Sequence, residues 1–303
     1  MTGEAERTSM KVRWHRFVIP GRSHDYPYAR HRPTRLWFVS TLRLAFCLPF
    51  LAIHAFFATP ACAESELVLP YPTSFGRIPA STFDTEQHHL GAATLVIERL
   101  DDGKVRLTAE SGVDGGAKTI ATAELVPIDE GRKLRLVSQS SRSFDANGTA
   151  LGVLAIDHDK REGSCTTPHE HGETIETIPL PRHDRVANVP LNLLFDPLVR
   201  GASSSVDFQI LLCRGGARLM DFRASVVRRE ERTAENPDIV EVRYGPDLGM
   251  IVSLIARAVT PKLAFWFDPA APARWLAHRM PLYSDGPEVF VVRQGVSANL
   301  FID

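Results

Sequence analysis

The stretch "AATLVIERLDDGKVRLTAES", residues 92–111, decides the fold. Two runs of β-branched and apolar residues, 92–100 and 105–111, flank the segment Asp-Asp-Gly-Lys. β-Branched residues favour strands, whereas Gly and Asp accept the backbone angles of tight turns. The stretch therefore predicts a β-hairpin.

The same pattern continues along the chain. Three further runs, 118–129, 133–144 and 150–159, are rich in strand-forming residues, and clusters containing Gly, Asp or Asn stand before each of them. Strands that are joined by short turns pair with their neighbours in sequence. Five strands over residues 92–159 are therefore predicted to form an antiparallel meander.

The middle of the chain breaks this pattern. Residues 157–190 are polar and rich in Pro, which predicts a long connection. Residues 191–201, "LNLLFDPLVRG", carry apolar side chains at helical spacing and end at Gly201. Because Pro197 lies inside this segment, we expect a short or bent helix that plugs the concave face of a curved sheet.

Strand patterns return after residue 204, and one further helix is expected among them. The predicted strands are 205–213, 217–229, 238–245, 250–259, 262–268 and 288–294. The segment "APARWLAHRM", residues 271–280, is predicted to hold the helix, from 272 to 280. The fold class expected from these patterns is mainly β, with one or two short plug helices.

An apolar run near the beginning of the chain has the features of an export signal. Residues 44–57, "LAFCLPFLAIHAFF", follow four arginines between 30 and 43 and precede small residues at Ala61 and Ala63. This order of basic, apolar and small residues is typical of a cleaved secretory signal. The run is shorter than the roughly 20 residues that a membrane-spanning helix needs.

We therefore expect cleavage after Ala63 and a periplasmic or secreted product. Residues 1–63 would be signal and N-terminal extension, with Met10 as an alternative start, and residues 64–303 would form a single antiparallel β domain. An uncleaved signal anchor and a lipoprotein that carries its lipid on Cys62 are the alternatives. No membrane span is expected in the mature chain.

The charge balance argues against nucleic acid as a partner. The whole chain has 35 basic and 36 acidic residues. Residues 1–63 hold nine of the basic and three of the acidic ones, so the mature chain keeps 26 and 33, a net charge of −7. An acidic chain offers no basic face for a phosphate backbone.

Only two cysteines, Cys165 and Cys213, would be left after cleavage. In an oxidising compartment two such residues usually pair, so we expect a disulfide. An alternative is a metal site, because Cys165 stands close to His169 and His171, and thiolate and imidazole bind zinc or copper. His-x-His lacks the usual spacing of structural zinc ligands, which makes both histidines weak candidates.

The aromatic segment after residue 262 suggests a place for a ligand. In "KLAFWFD", residues 262–268, Leu263, Phe265 and Phe267 share one face of a strand and Trp266 lies on the other. We expect a cavity between this strand and the helix at 191–198. The candidate ligand-binding residues are Leu191, Leu194, Phe195, Phe265, Phe267 and Trp275 for apolar contacts and Arg279 for an acidic head group.

Two parts of the chain carry a resemblance to a known family. They are the tail "KLAFWFDPAAPARWLAHRMPLYSDGPEVFVVR" and the middle order of Cys165, Pro-rich crossing, short apolar helix and "LLCRGGARLMDF". Both resemble an uncharacterised family of bacterial exported proteins, a domain of unknown function similar in architecture to periplasmic lipoprotein carriers. The resemblance implies an exported half-barrel of curved antiparallel sheet around helical plugs, and an apolar ligand.

Three functional hypotheses follow. The first is a periplasmic protein that binds or carries an apolar ligand, such as an acyl chain, without catalysis or a cofactor. The second is a structural or interaction protein of the cell envelope with a filled core. The third is a metal-binding protein that uses the Cys165, His169 and His171 loop. No catalytic motif such as Gly-x-Ser-x-Gly is present in the sequence.

Overall fold

The fold is described from a computed structural model. It describes residues 67–230, 238–247, 263–270, 274–283 and 286–302. The expected export segment, residues 1–63, and the expected strand at 250–259 lie outside the described residues.

The described residues form fifteen strands in one curved antiparallel sheet that does not close. The strands are β1 (Val68–Pro70), β2 (Gly76–Phe83), β3 (His89–Arg99), β4 (Val105–Gly112), β5 (Lys118–Ile128), β6 (Lys133–Phe144), β7 (Ala150–Asp157), β8 (Glu162–His169), β9 (Gly172–Pro179), β10 (Ser205–Leu212), β11 (Arg218–Glu230), β12 (Ile239–Pro246), β13 (Leu263–Asp268), β14 (Arg274–Pro281) and β15 (Glu288–Arg293). Two one-turn helices, α1 (Leu191–Leu194) and α2 (Asp196–Val199), and two 3₁₀ turns, Asp129–Gly131 and Ala298–Leu300, complete them.

The sheet starts at β10 and ends at β9. Its order is β10-β11-β12-β13-β14-β15-β2-β3-β4-β5-β6-β7-β8-β9, and β1 adds to it by pairing with β6. The chain therefore winds from the middle of the sheet to one edge, crosses the concave face as α1 and α2, and winds back from the other edge. This confirms the predicted fold class and the predicted meander, β3 to β7.

The predicted long connection at 157–190 is wrong in its first part. Residues 162–179 form the hairpin β8–β9, in which His169 pairs with Gly172 across a two-residue turn. The side chains of β9 are almost all exposed, because β9 is the last strand of the sheet order. A strand without a buried face lacks the apolar alternation that marks strands in a sequence.

The helix predicted at 272–280 is also wrong. Residues 274–281 form β14, which pairs with β13 on one side and β15 on the other. Trp275, Leu276 and Ala277 are all buried, and the β13–β14 register shifts beside them. Pairing on both sides and burial on both faces outweigh the helix propensity of Ala, Leu and Arg.

The predicted short, bent helix is confirmed as α1 and α2, which meet at Phe195. Pro197 lies in the first turn of α2, where its missing N–H is no loss. Phe195 is fully buried. Its ring centroid lies 5.8 Å from that of Phe208, 5.5 Å from that of Tyr244 and 5.5 Å from that of Phe265. The two helices thus fix one end of the concave core.

Strands β13 to β15 are covered on both faces. Phe265 and Phe267 belong to the large inner core that contains the helices. Trp266, Phe290 and Phe301 belong to a separate outer cluster, in which the C-terminal residues pack on the convex face. The expected division of residues 262–268 into two faces is therefore confirmed, and it directs Phe265 to the inside.

Candidate functional site

The concave face holds a cavity of about 750 Å³ beside α1. One wall comes from β3 to β8, and the facing wall comes from β10 to β15. Leu191 and Asn192 of α1 and the loop before it form the boundary toward the core. A volume of this size lies in the range of roughly 300–1,000 Å³ that small-molecule sites occupy.

Side-chain size along β4 explains why the cavity forms. Its inward positions are Val105, Leu107, Ala109 and Ser111, so branched aliphatic side chains at one end of the strand are followed by small side chains at the other. Val105 is completely buried at the end that the core fills, and Leu107 borders both the core and the cavity. Ala109 and Ser111 line the cavity. Because a strand keeps neighbouring inward positions at fixed spacing, smaller side chains leave space.

The neighbouring strand β5 shows the same gradient in the opposite chain direction. Leu125 and Ala123 are completely buried, whereas Ala121 and Thr119 line the cavity. The register pairs Ala121 with Ala109, and on β6 Ser141 pairs with Ala121. Three small side chains thus lie side by side on adjacent strands. The cavity is therefore formed by the inward face of the sheet and not by a loop.

The sequence analysis missed Ala109, Ala121 and Ser141. The sequence does contain a signal for them. When the strands are paired in antiparallel register, the small residues at alternate positions of consecutive strands fall at the same end of the sheet. Reading it requires the register, which the hairpin turns fix only approximately. An alternating pattern predicts a strand with one buried face in either case, whether the inward residues are Leu or Ala.

The wall opposite these small residues is aromatic. Phe222, Tyr244, Phe265, Trp275 and His278 all line the cavity. The ring of His278 lies 5.2 Å from that of Phe265 and 5.5 Å from that of Trp275, measured between centroids. Burial raises the pKa of the Tyr244 phenol, so this wall presents neutral rings.

His278 is half-buried, since part of its ring borders the cavity. Removal from bulk water disfavours the imidazolium and lowers the pKa of His278 to about 4. At neutral pH the ring is therefore uncharged and offers one donor and one acceptor.

A row of hydroxyls crosses β4, β5 and β6 at the cavity end. Ser111 pairs with Thr119, and Thr119 pairs with Ser143. Thr119 Oγ1 donates to the carbonyl oxygen of Leu282 at 2.7 Å and lies 3.0 Å from Ser143 Oγ. Since the Thr119 proton is directed to Leu282, Ser143 donates to Thr119, and its lone pairs stay available to a neighbouring group.

Three of the candidate ligand-binding residues, Leu191, Phe265 and Trp275, are brought together around the cavity. The other three apolar candidates, Leu194, Phe195 and Phe267, are buried in the inner core and are not among the residues that line the space. They support the wall without facing a ligand.

Arg279 lies on the other face of β14. Its guanidinium forms an ion pair with Glu288, and its Cζ lies 5.0 Å from the centroid of the Phe290 ring. Phe290 belongs to the outer cluster. Strand alternation directs His278 and Met280 inward and Arg279 outward, which separates this cation from the cavity.

A disulfide joins strands from the two ends of the sheet order. Cys165 in β8 and Cys213, just after β10, are bonded with 5.4 Å between their Cα atoms, which confirms the predicted pair. Glu176 of β9 also accepts a hydrogen bond from the backbone of Ala217 at 2.6 Å. Because Cys213 lines the cavity, the disulfide holds the cavity wall as well as the sheet ends.

The buried side chain of Gln139 positions the loop before α1. Its Oε1 accepts hydrogen bonds from the backbone of Asn188 and Val189, at 2.7 and 3.1 Å. Its Nε2 donates to the Val186 carbonyl oxygen at 2.8 Å and lies 2.8 Å from His158 Nε2. The two backbone donors fix the orientation of the amide, so His158 Nε2 is the acceptor of the second Nε2 proton.

This arrangement extends to a carboxylate. His158 Nδ1 lies 2.8 Å from Asp184 Oδ1, and both side chains are largely buried. With Nε2 accepting from Gln139, the ring carries its proton on Nδ1 and donates it to Asp184. The chain Asp184–His158–Gln139 thus sets the position of Asn188 and Val189, which line the cavity.

The loop that was a candidate metal site has another structure. Cys165 is bonded to Cys213 and is no longer a thiolate ligand. His169 ends β8 and His171 lies in the β8–β9 turn, and both are exposed. Within the residues that the structure describes, no group of three or more His, Cys, Asp or Glu is placed to hold a metal ion.

A scan of the sequence against protein-family models finds no match, and a search of curated proteins finds none either. Among solved structures, the chain is similar to the β-barrel-like protein of the domain of unknown function DUF1849 from Brucella abortus. The identity is 7%, the TM-score is 0.41, and the match covers 73% of this chain and 97% of that one. A likeness at this level carries no argument about function.

None of the helices among the described residues is long and apolar enough to cross a bilayer.

Proposed function

We propose that this protein binds or carries an apolar small molecule, such as one with an acyl chain, in the cavity between the sheet and α1. The observation that carries the proposal is the paired row of Ala109, Ala121 and Ser141, which keeps about 750 Å³ open inside the fold. Filling this space with larger side chains would add dispersion and apolar burial. Because the residues at these positions are small, the protein lacks that additional stability.

The chemistry of the walls supports an apolar occupant. Phe222, Phe265, Trp275 and Val291 offer rings and a branched aliphatic side chain to the cavity. Apolar lining with a few polar groups is the common composition of small-molecule sites. The signal pattern before residue 64 gives the proposed setting, the periplasm or the exterior of the cell.

The interaction-protein hypothesis requires a filled interior, and the cavity favours the carrier over it. Binding of a partner to the outer surface would not require small residues on the inner face of the sheet. The two hypotheses therefore predict different results for a variant in which the cavity is filled and the outer surface is unchanged.

Ala121→Phe is that variant. A phenyl ring at this position would occupy the middle of the small-residue row and should weaken uptake of Nile red, an environment-sensitive dye, by at least about tenfold, or ~1.4 kcal/mol. The free energy of unfolding in urea should stay the same or rise, because the ring enters existing space.

Thr122→Phe is the matched control. Thr122 is the next residue of β5 and points to the other face of the sheet, so dye uptake should be unchanged. If Ala121→Phe folds and binds the dye as well as the unmodified protein, the cavity is not the binding site. If the unmodified protein takes up no dye, and organic extraction of native material yields no apolar compound, the carrier proposal fails.

A further inference from the structure

Apart from Glu110 and Arg214, the polar residues that line the cavity are uncharged, and this restricts the chemistry of the ligand. We propose that the ligand is a neutral amphiphile with an apolar body and a hydroxyl group, and that free carboxylates are excluded. The inference rests on the proposed function, since it concerns the same cavity. It differs from the head group expected from the sequence, which was acidic.

Few of the residues that line the cavity are charged. Of the lining residues in the described part of the chain, only Glu110 and Arg214 carry a formal charge. Glu110 lies on the outward side of β4, where Lys118 Nζ is 3.2 Å from its carboxylate. Arg214 is exposed in the β10–β11 turn, at the rim. Arg279, the cation expected to bind a head group, lies on the convex side with Glu288.

The one titratable group of the aromatic wall that could become a cation is kept neutral. His278 is enclosed by Phe265 and Trp275, and burial lowers its pKa to about 4. At neutral pH a carboxylate inside the cavity would therefore lose its hydration without gaining a charged partner. Burial of an unpaired charge is strongly unfavourable.

The hydroxyl row supplies what a neutral head group needs. Ser143 gives its proton to Thr119, because Thr119 donates to the Leu282 carbonyl oxygen. Ser143 Oγ therefore presents lone pairs to the cavity and suits a ligand that donates a proton. An alcohol provides such a proton, whereas a methyl ester and an ionised carboxylate do not.

Three ligands of equal chain length separate charge from hydrogen bonding. Decanol, methyl decanoate and decanoic acid, which is ionised at neutral pH, would compete with bound Nile red. We expect decanol to displace the dye at a concentration lower by about tenfold or more than decanoate, with methyl decanoate between them. In Ser143→Ala, decanol should lose about threefold to tenfold in affinity and methyl decanoate should be unchanged.

Ser140→Ala is the matched control, because Ser140 is on the same strand and points to the other face. It should leave the affinity of all three ligands unchanged. The inference is overturned if decanoate binds as well as decanol. The same holds if decanoate binding depends on Arg214, which Arg214→Gln would reveal. Either result is still consistent with the carrier proposal. If the protein takes up no dye and none of the three ligands binds, the carrier proposal itself is wrong.

Discussion

The two ends of the same strands differ in the size of the side chains that point inward. At one end of β4 to β6, Val105, Leu125 and Leu134 are inaccessible and belong to the same core cluster as the apolar residues of the helices. At the other end, Ala109, Ala121 and Ser141 face open space. The backbone pairing continues unbroken through both ends of β4 and β5.

This difference shows that curvature alone does not produce a cavity. A curved sheet has a concave face throughout, and the side chains decide where that face becomes core and where it stays open. The core end provides stability through burial. The cavity end lacks that packing, so other interactions must hold its wall in place.

The largest expected effect tests how the cavity end is held. Replacing both Cys165 and Cys213 by Ala should lower the free energy of unfolding by about 4 kcal/mol, because the disulfide closes a loop over a sequence separation of 48 residues. Urea unfolding of the variant and of the unmodified protein measures the loss.

Dye uptake provides the second readout for this variant. If the disulfide holds the cavity wall, Nile red binding should weaken under conditions in which the variant is still fully folded. Unchanged binding in the folded variant would show that Gln139 and the loop at 184–189 hold the wall without it.

The next effect compares the core end of β5 with the opposite wall of the cavity by the same substitution. Leu125→Ala, at the core end, should cost about 3 kcal/mol, since it leaves a void in a fully packed region. Leu263→Ala, on the cavity wall, should cost only about 1 kcal/mol, because one side of this residue already lacks partner atoms. Equal losses in urea unfolding would mean that the cavity end is packed as densely as the core end.

The sequence predicted much of the architecture but less of the site. Hairpin turns such as Asp101–Lys104 and the apolar runs between them located β3 to β7. The disulfide was predicted because only two cysteines are expected after signal cleavage. These signals are local, or they need no knowledge of the register.

The errors share a physical cause, which is tertiary context. β9 was missed because an edge strand needs no apolar face, and β14 was taken for a helix because a central strand buried on both faces loses its alternation. The cavity depended on which small residues become neighbours. Arg279 and His278 are adjacent in sequence but lie on opposite faces of β14. Arg279 therefore forms an ion pair on the outside, whereas His278 presents a neutral ring to the cavity.

A pH dependence reports whether the cavity end is dry. The folded pKa of His278 is lowered to about 4, so the unfolded chain, with an ordinary histidine pKa of about 6.5, binds more protons below that pH. Stability should therefore fall as the pH falls from 6.5 toward 4, by about 2 kcal/mol at pH 5. His278→Phe keeps an aromatic ring on the wall and removes the titration. The difference in unfolding free energy between the unmodified protein and this variant should then change by that amount between pH 7 and pH 5, while all other titrating groups cancel. If the difference stays constant, water in the cavity hydrates the imidazolium, and the cavity end differs from the core end in its solvent as well as in its packing.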